Sequence, residues 1–203
     1  MEFTELAALT IHDVKNRLAI LAGRAEAKGD AETLHGALEA AATLTRLLVF
    51  YKAQKGALGV DIDAHVPAEL FAELAAEIAR QTSLTVKIDT DHAPTLWFYD
   101  EALIRMVLLN AIYNALRHAR TTITLFAAQH GTNLLFEIRD DGPGFPPDMI
   151  DQPARMSALS REGTGLGLHL ASQVAAFHHN QGQTGRIELK NADGAAFCLL
   201  LPQ

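Results

Sequence analysis

Asn110-Ala111-Ile112-Tyr113-Asn114-Ala115-Leu116-Arg117-His118 is the stretch on which the fold turns. Asn110 and Asn114 are four residues apart, so on a helix their amides share a face, with Arg117 and His118 following one turn later. Asparagine is a poor mid-helix residue because its amide competes with the backbone for hydrogen bonds, so two of them invite a functional reason. Amide oxygens can ligate Mg²⁺, while amide nitrogens and a guanidinium can meet phosphate oxygens. Asp100 is placed to cap this helix, which runs to Ala119 and turns Leu103, Val107, Ala111 and Leu116 inward. The alternative reading of the stretch is a capped surface helix end.

On the C-terminal side lie two glycine-rich loops. Asp140-Asp141-Gly142-Pro143-Gly144 follows a strand, and Gly163-Thr164-Gly165-Leu166-Gly167-Leu168 opens a helix. Gly165 and Gly167 let backbone amides approach a phosphate closely at that helix N-terminus. The pattern is neither a P-loop, which needs Gly-Lys-Ser/Thr, nor a dinucleotide fingerprint. Around these loops, helix and strand signals alternate. Pro67–Gln81 reads as a helix. Leu84–Ile88 reads as a strand with Thr95–Tyr99 as its antiparallel partner. Thr121–Ala127 pairs with Leu134–Arg139 across the turn Gly131-Thr132-Asn133. The polar stretch Gly142–Gly163 is too long for a turn and reads as a lid, and Thr164–His178 as a helix. Arg186–Lys190 and Ala196–Leu201 close the chain as a hairpin around Asp193-Gly194. The His178-His179 pair lacks carboxylate or thiolate neighbours at metal-ligand spacing and reads as a surface helix end.

On the N-terminal side the chain is helical. Phe3, Ala7, Ile11, Val14, Leu18, Leu21 and Ala25 recur at steps of four and three over Thr4–Lys28. Gly29-Asp30 breaks the pattern, and a second helix, Ala31–Lys55, carries Leu34, Leu38, Ala41, Leu44, Leu48 and Tyr51, a stripe that Leu47 and Val49 widen. That apolar surface exceeds what a lone hairpin buries, so dimerisation into a four-helix bundle is expected. His12 sits on the solvent flank of the seam, with Asp13 beside it and Asn16 one turn later. A reactive imidazole needs an exposed ring nitrogen and a neighbouring carboxylate; the bland alternative is the polar strip of an amphipathic helix.

Composition bounds the rest. Of 203 residues, 49% are hydrophobic and 20% charged, an ordinary globular balance, with a net charge of −7 that disfavours nucleic acid or an anionic membrane as the main partner. No stretch reaches the roughly 18 apolar residues of a spanning helix. Acids at Glu2 and Glu5 stand where a secretory signal carries positive charge, and the single Cys198 makes no internal disulfide. A cytoplasmic protein without membrane insertion is expected.

Taken in order, the clusters resemble the sensor histidine kinase family over nearly the whole chain. His12–Asn16 resembles its H box, Asn110–His118 its N box, Asp140–Gly144 its G1 box and Gly163–Leu168 its G2 box. The resemblance implies an α+β chain: a dimerisation and histidine-phosphotransfer hairpin over residues 1–56, then an α/β sandwich ATPase domain of the GHKL type over 57–203. It implies that His12 accepts the γ-phosphoryl group of ATP and that Asp13 is its general base. It assigns Asn114 to Mg²⁺, Asn110 and Arg117 to the phosphates, and Asp140 to the adenine amino group. His118, at the end of the N box, and Thr164 and Leu166, in the G2 box, fall among the nucleotide-binding positions. Gly142, Gly144, Gly163, Gly165 and Gly167 shape the lid hinges. Asn16 matches the position that orients water for dephosphorylating the partner, which is an aspartate-bearing receiver domain of a response regulator. If these residues are the entire protein, its input arrives from a separate sensory protein or a soluble ligand. Two departures stand out. Arg17 follows Asn16 where many members have proline, and no phenylalanine lies between Pro146 and Ala176, where Met149, Ile150, Met156 or Leu159 would close the lid. Competing readings are a histidine phosphotransferase or phosphatase with little ATP turnover, a nucleotide-binding dimeric regulator without catalysis, and a serine kinase of the same superfamily.

Overall fold

The computed structural model describes residues 3–151 and 166–203, which form two compact units, Met1–Leu58 and Gly59–Gln203. In the first, helix α1 (Phe3–Lys28) and helix α2 (Ala31–Gln54) form an antiparallel hairpin. The turn between them follows from two residues. Gly29 takes φ +66°, its amide donates to Glu26 O (3.0 Å) and the Asp30 amide donates to Ala25 O (2.9 Å), the paired bonds that stop a helix at a left-handed glycine. The Asp30 side chain then accepts the Thr33 amide (3.1 Å) and starts α2. Ala22, Ala25 and Ala37 are the buried apolar contacts among the hairpin's described side chains, and such small residues let the two backbones approach. Ile11, Leu18, Leu34 and Leu44 are half-buried, whereas Val14, Leu21, Leu38 and Leu47 of the expected stripes are exposed, as is Ile20.

The second unit is a sheet covered on one face by helices. Its elements are β1 (Asp63–His65), α3 (Pro67–Ala79), β2 (Thr85–His92), β3 (Trp97–Tyr99), α4 (Glu101–His118), β4 (Thr122–His130), β5 (Asn133–Asp140), α5 (Pro147–Asp151), α6 (Leu166–Phe177), β6 (His179–Asn180), β7 (Gln183–Thr184), β8 (Arg186–Asn191) and β9 (Ala195–Pro202). The main sheet has the order β2-β4-β5-β9-β8, with β2 parallel to β4 and every other pair antiparallel. Period-two alternation places Ile123, Leu125 and Ala127 of β4 and Leu134, Phe136 and Ile138 of β5 under the helices. α3, with buried Phe71 and Leu74, packs on β4, and α4, with Ile104 and Leu108, on β5, while α6, with Leu170 and Val174, covers β8 and β9. Phe136 lies at the centre, edge-on to Phe71 (ring centroids 5.1 Å) and to Tyr99 (5.8 Å). Truncation by Phe136→Ala is expected to cost about 3–5 kcal/mol of unfolding free energy, since both partner rings then face a cavity; urea unfolding of the variant measures it.

The helix and hairpin expectations agree with this fold, but one pairing does not. Thr95–Tyr99 is not the partner of Leu84–Ile88. β3 pairs antiparallel with β1, a strand that the sequence reading passed over, in the register Asp63↔Tyr99, Ala64↔Phe98 and His65↔Trp97. β2 instead runs parallel to β4, with α4 in the crossover connection. The reason lies in the core. Trp97 and Tyr99 alternate inward, and the Trp97 indole N–H reaches across to Leu201 O (3.2 Å), an anchor remote in sequence. No helix among the described residues is long and apolar enough to cross a membrane.

Candidate functional site

On the hairpin, His12, Asp13 and Asn16 are all exposed on α1, with Ile11, Lys15 and Leu18 half-buried beside them. The seam residues thus turn His12 outward, as the heptad spacing expects. Adjacent helical positions point about 100° apart, and His12 and Asp13 make no hydrogen bond to each other here.

In the second unit, the site begins with the cap of α4. Asp100 is buried. Its Oδ1 accepts the Leu103 amide (2.9 Å) and starts the helix, and its Oδ2 accepts the Asp61 amide (3.0 Å). The buried stripe Leu103, Ile104, Val107, Leu108, Ala111, Ile112 and Ala115 then fixes the rotation of α4. The opposite flank consequently holds Asn110, half-buried, and Asn114 and Arg117, exposed, followed by half-buried His118. Leu116, expected inside, is half-buried at the edge of the stripe, as is Leu109.

The end of α4 and the first glycine loop meet directly. Asp140 is the last residue of β5 and buried, and its Oδ1 accepts the Gly142 amide (2.8 Å) and the Ala195 amide (3.3 Å). A Cβ on Gly142 would fall on the carbonyl oxygen of His118, so the loop packs against the α4 terminus only because position 142 is glycine. Asp141 completes the junction by accepting the Arg120 amide (2.7 Å), the Thr121 amide (3.0 Å) and the Thr121 hydroxyl (2.5 Å). The Thr121 hydroxyl above all, with those amides, holds the Asp141 carboxyl well below the usual carboxylate range.

Further along, Gly144 has φ +85° and lies against Asn191, whose Oδ1 accepts the Phe145 amide (2.8 Å) and whose Nδ2 donates to Phe145 O (2.9 Å). This pins the start of the lid stretch to the end of β8. The stretch that the sequence reads as a lid begins with α5, where Met149 and Ile150 are half-buried. Gly163, Thr164 and Gly165, and the lid residues Met156 and Leu159, lie outside the described residues. Leu166 is the first residue of α6, and a Cβ on Gly167 would fall on the Asn110 amide nitrogen, so the second glycine motif approaches the asparagine face.

Sequence reasoning missed three residues here. A Cβ on Gly194 would overlap Asp140 O, making its turn part of the carboxylate's setting, and Asn191 fastens the lid root. The Asp193-Gly194 turn was legible, but its approach to Asp140 was not. His178 is the third, and the surface reading of it is wrong. It is 3% exposed, its Nε2 accepts the Asp100 amide (3.0 Å) and its Nδ1 lies 2.8 Å from Val174 O; His179 is exposed as expected. The ring is apolar enough to complete the core once both nitrogens are satisfied, a condition that sequence spacing does not reveal. Among the described residues no group of three His, Cys, Asp or Glu side chains could hold a metal ion.

Comparison with known proteins agrees with this geometry. Residues 99–203 match the family of histidine kinase-, DNA gyrase B- and HSP90-like ATPases. Sensor protein KdpD of Escherichia coli K12 is 27% identical over 218 aligned positions, covering 98% of this chain and 24% of KdpD. Sensor-type histidine kinase PrrB of Mycobacterium leprae is 30% identical over 145 positions, covering 68% of this chain and 32% of PrrB. The chain therefore spans about a quarter to a third of the length of these two relatives. In three dimensions, full-length ShkA, crystallised in complex with AMPPNP, superposes over 99% of this chain and 46% of its own with a TM-score of 0.73 at 20% identity, a likeness of fold. The chain belongs to the histidine kinase-, DNA gyrase B- and HSP90-like ATPase family and is built as the catalytic portion of a sensor histidine kinase, a helical hairpin followed by the ATPase domain.

Proposed function

We propose that this chain is an ATP-dependent protein-histidine kinase that phosphorylates its own His12 and passes the phosphoryl group to an aspartate on a response-regulator receiver domain. The observation that carries the reading is a solvent-exposed His12, flanked by exposed Asp13 and Asn16, on a hairpin in the same chain as an ATPase domain with its asparagine face and buried Asp140 in place. The second unit fits a nucleotide. The two backbone donors to Asp140 among the described residues both fall on Oδ1, so Oδ2 is the oxygen to read the exocyclic N–H of adenine. Asn110 and Arg117 meet the phosphates, with His118 closing the face, and Gly142, Gly144 and Gly167 permit the close loop approaches around it. Thr164 and Leu166 belong to the loop over the phosphates by their place in the second glycine motif. Mg²⁺, when bound, neutralises charge on the transferring phosphoryl group, and Asn114 is the residue to hold it.

In the reaction, a ring nitrogen of His12 forms a bond to the γ-phosphorus as the bond to the β,γ-bridging oxygen breaks, and ADP leaves. Asp13 takes the proton released from the imidazole. A rotamer change brings its carboxylate to the ring. Asn16, one turn beyond His12 and equally exposed, favours a second activity, orienting water to dephosphorylate the receiver domain.

The test is incubation with γ-labelled ATP and Mg²⁺. An acid-labile, alkali-stable label on the chain is the expected outcome; a protein that binds ATP and never labels is instead a relay or a nucleotide-binding regulator.

The exposed Val14, Leu21, Leu38 and Leu47 support a homodimer, since two hairpins placed together bury them in a four-helix bundle. Analytical ultracentrifugation at micromolar concentration is expected to give a dimer, and Leu21→Asp a monomer. A monomeric wild type would sink this part of the reading.

A further inference from the structure

His178 is a buried titratable group that the proposed chemistry does not use. Its hydrogen bonds determine its state. A backbone N–H can only donate, so Nε2, 3.0 Å from the Asp100 amide, is an acceptor; a carbonyl can only accept, so Nδ1, 2.8 Å from Val174 O, carries the proton. The ring is therefore neutral, in the Nδ1–H tautomer. Its own backbone is held as well, the His178 amide donating to Ala175 O (2.9 Å) and its carbonyl accepting the Gly185 amide (2.7 Å).

The two ends of this arrangement have matching lengths. α4 and α6 touch at Asn110 with Gly167, and again at Asp100 with His178. The ten residues from Asp100 to Asn110 and the eleven from Gly167 to His178 correspond to about 15 Å and 16.5 Å of helix at about 1.5 Å per residue. The helices thus run antiparallel with two rungs of contact. One rung is the asparagine–glycine approach at the nucleotide face, and the other is the imidazole bridge. Asp100 also accepts the Asp61 amide, so the bridge lies where the chain enters the second unit.

We infer that neutral His178 is a positioning residue of the nucleotide site, fixing the register of α6 on α4 and with it the approach of Gly167 to Asn110. This rests on the proposed nucleotide reading of that face. Protonation places a second N–H opposite the Asp100 amide, and donor faces donor, so the rung opens. Asp100 and His179 are the charged or titratable groups acting on the ring. Burial pushes the imidazole below its ordinary value; the bond to Val174 O and the Asp100 carboxylate oppose this, and His179 adds to it. The sign follows. Above that lowered value the bridge is intact, and as pH falls through it the bridge and the affinity it supports are lost.

The test compares ATP affinity of wild type, His178→Gln and His179→Gln by calorimetry with Mg²⁺ from pH 7.5 down through the midpoint of the His178 ring, which ¹⁵N spectra of the histidine rings locate. Glutamine replaces one of the two ring bonds, so His178→Gln is expected to bind about tenfold more weakly at pH 7.5. Once the ring has titrated, as its ¹⁵N shifts report, the wild type has lost the bridge too, and the ratio between the two falls towards one. Titration of the nucleotide's phosphates is common to both proteins and cancels in that ratio. His179→Gln, altered at the exposed neighbour, keeps the wild-type affinity at pH 7.5, and its midpoint moves up because the neighbouring ring that disfavours protonation of His178 is gone. A ratio that stays unchanged while the His178 ring titrates, or an Nε2–H tautomer at neutral pH, overturns the inference. If His178→Gln does not fold, the wild-type spectra decide: the Asn110 side-chain amide must shift with the midpoint of the His178 ring, and a different midpoint overturns it. If wild type binds no ATP at any pH, the nucleotide reading fails, and the ring tautomer and that shared midpoint judge the positioning role by themselves.

Discussion

Replacing His12 by glutamine is expected to abolish labelling from γ-labelled ATP, a fall of at least about 10³-fold, while leaving ATP affinity unchanged. Glutamine keeps the helix and the polarity of the surface, and its amide has no basic ring nitrogen to attack phosphorus. His12 is exposed on α1 and its neighbours Ile11 and Leu18 carry the packing, so the variant removes a nucleophile without removing a structural contact. Nucleotide binding belongs to the other compact unit, Gly59–Gln203, and should be indifferent. His35→Gln, on α2, is the control and should label as wild type does. Persistent label in His12→Gln would move the phosphoacceptor elsewhere and end the assignment.

Asp140→Asn is expected to weaken ATP binding by about 10²-fold, with little change in the unfolding midpoint. Asparagine retains an oxygen for the Gly142 and Ala195 amides, which contact Asp140 Oδ1 at 2.8 Å and 3.3 Å, so the loop keeps its geometry. The second atom becomes an N–H₂ group facing the adenine amino group. A charge-assisted bond worth about 1.5–3 kcal/mol is lost and a donor is left buried against a donor. Calorimetry with Mg-ATP measures the affinity and circular dichroism the midpoint. An affinity within about threefold of wild type would place adenine recognition elsewhere.

The elements that sequence reasoning located well are those whose cause is local. The hairpin turn needs only Gly29 with its positive φ and Asp30 with its capping oxygen, each three residues from its partner, Glu26 and Thr33. The cap of α4 by Asp100 and the antiparallel pair β4–β5 across Gly131 are of the same kind. Strand partnership was less legible. Trp97 and Tyr99 read as strand residues, but a three-residue strand does not say whether it pairs with the segment before it or with Asp63–His65, and the core decided in favour of the latter.

For the proposed site, residue identities and their order along the chain are what nominate His12, Asn110, Asn114, Asp140 and Gly167, because each proposed role needs a particular functional group at a helical or loop spacing. Their settings came only from tertiary structure. Gly142 is required by the His118 carbonyl and Gly194 by the Asp140 carbonyl, and Asn191 fastens Phe145; each pair is brought together by sheet order. His178 shows the difference most clearly. Taken by itself, a histidine after a helix is a polar terminus. Only when α6 lies antiparallel on α4 does a donor amide meet its Nε2, so that burying the imidazole leaves neither the ring nor the Asp100 amide unpaired. The sequence by itself determined the family and the order of hairpin and ATPase domain, because the motifs that mark them are short and local. Which strand lies beside which, and which polar atoms satisfy one another in the interior, was decided by packing across some eighty residues of chain, as between Asp100 and His178.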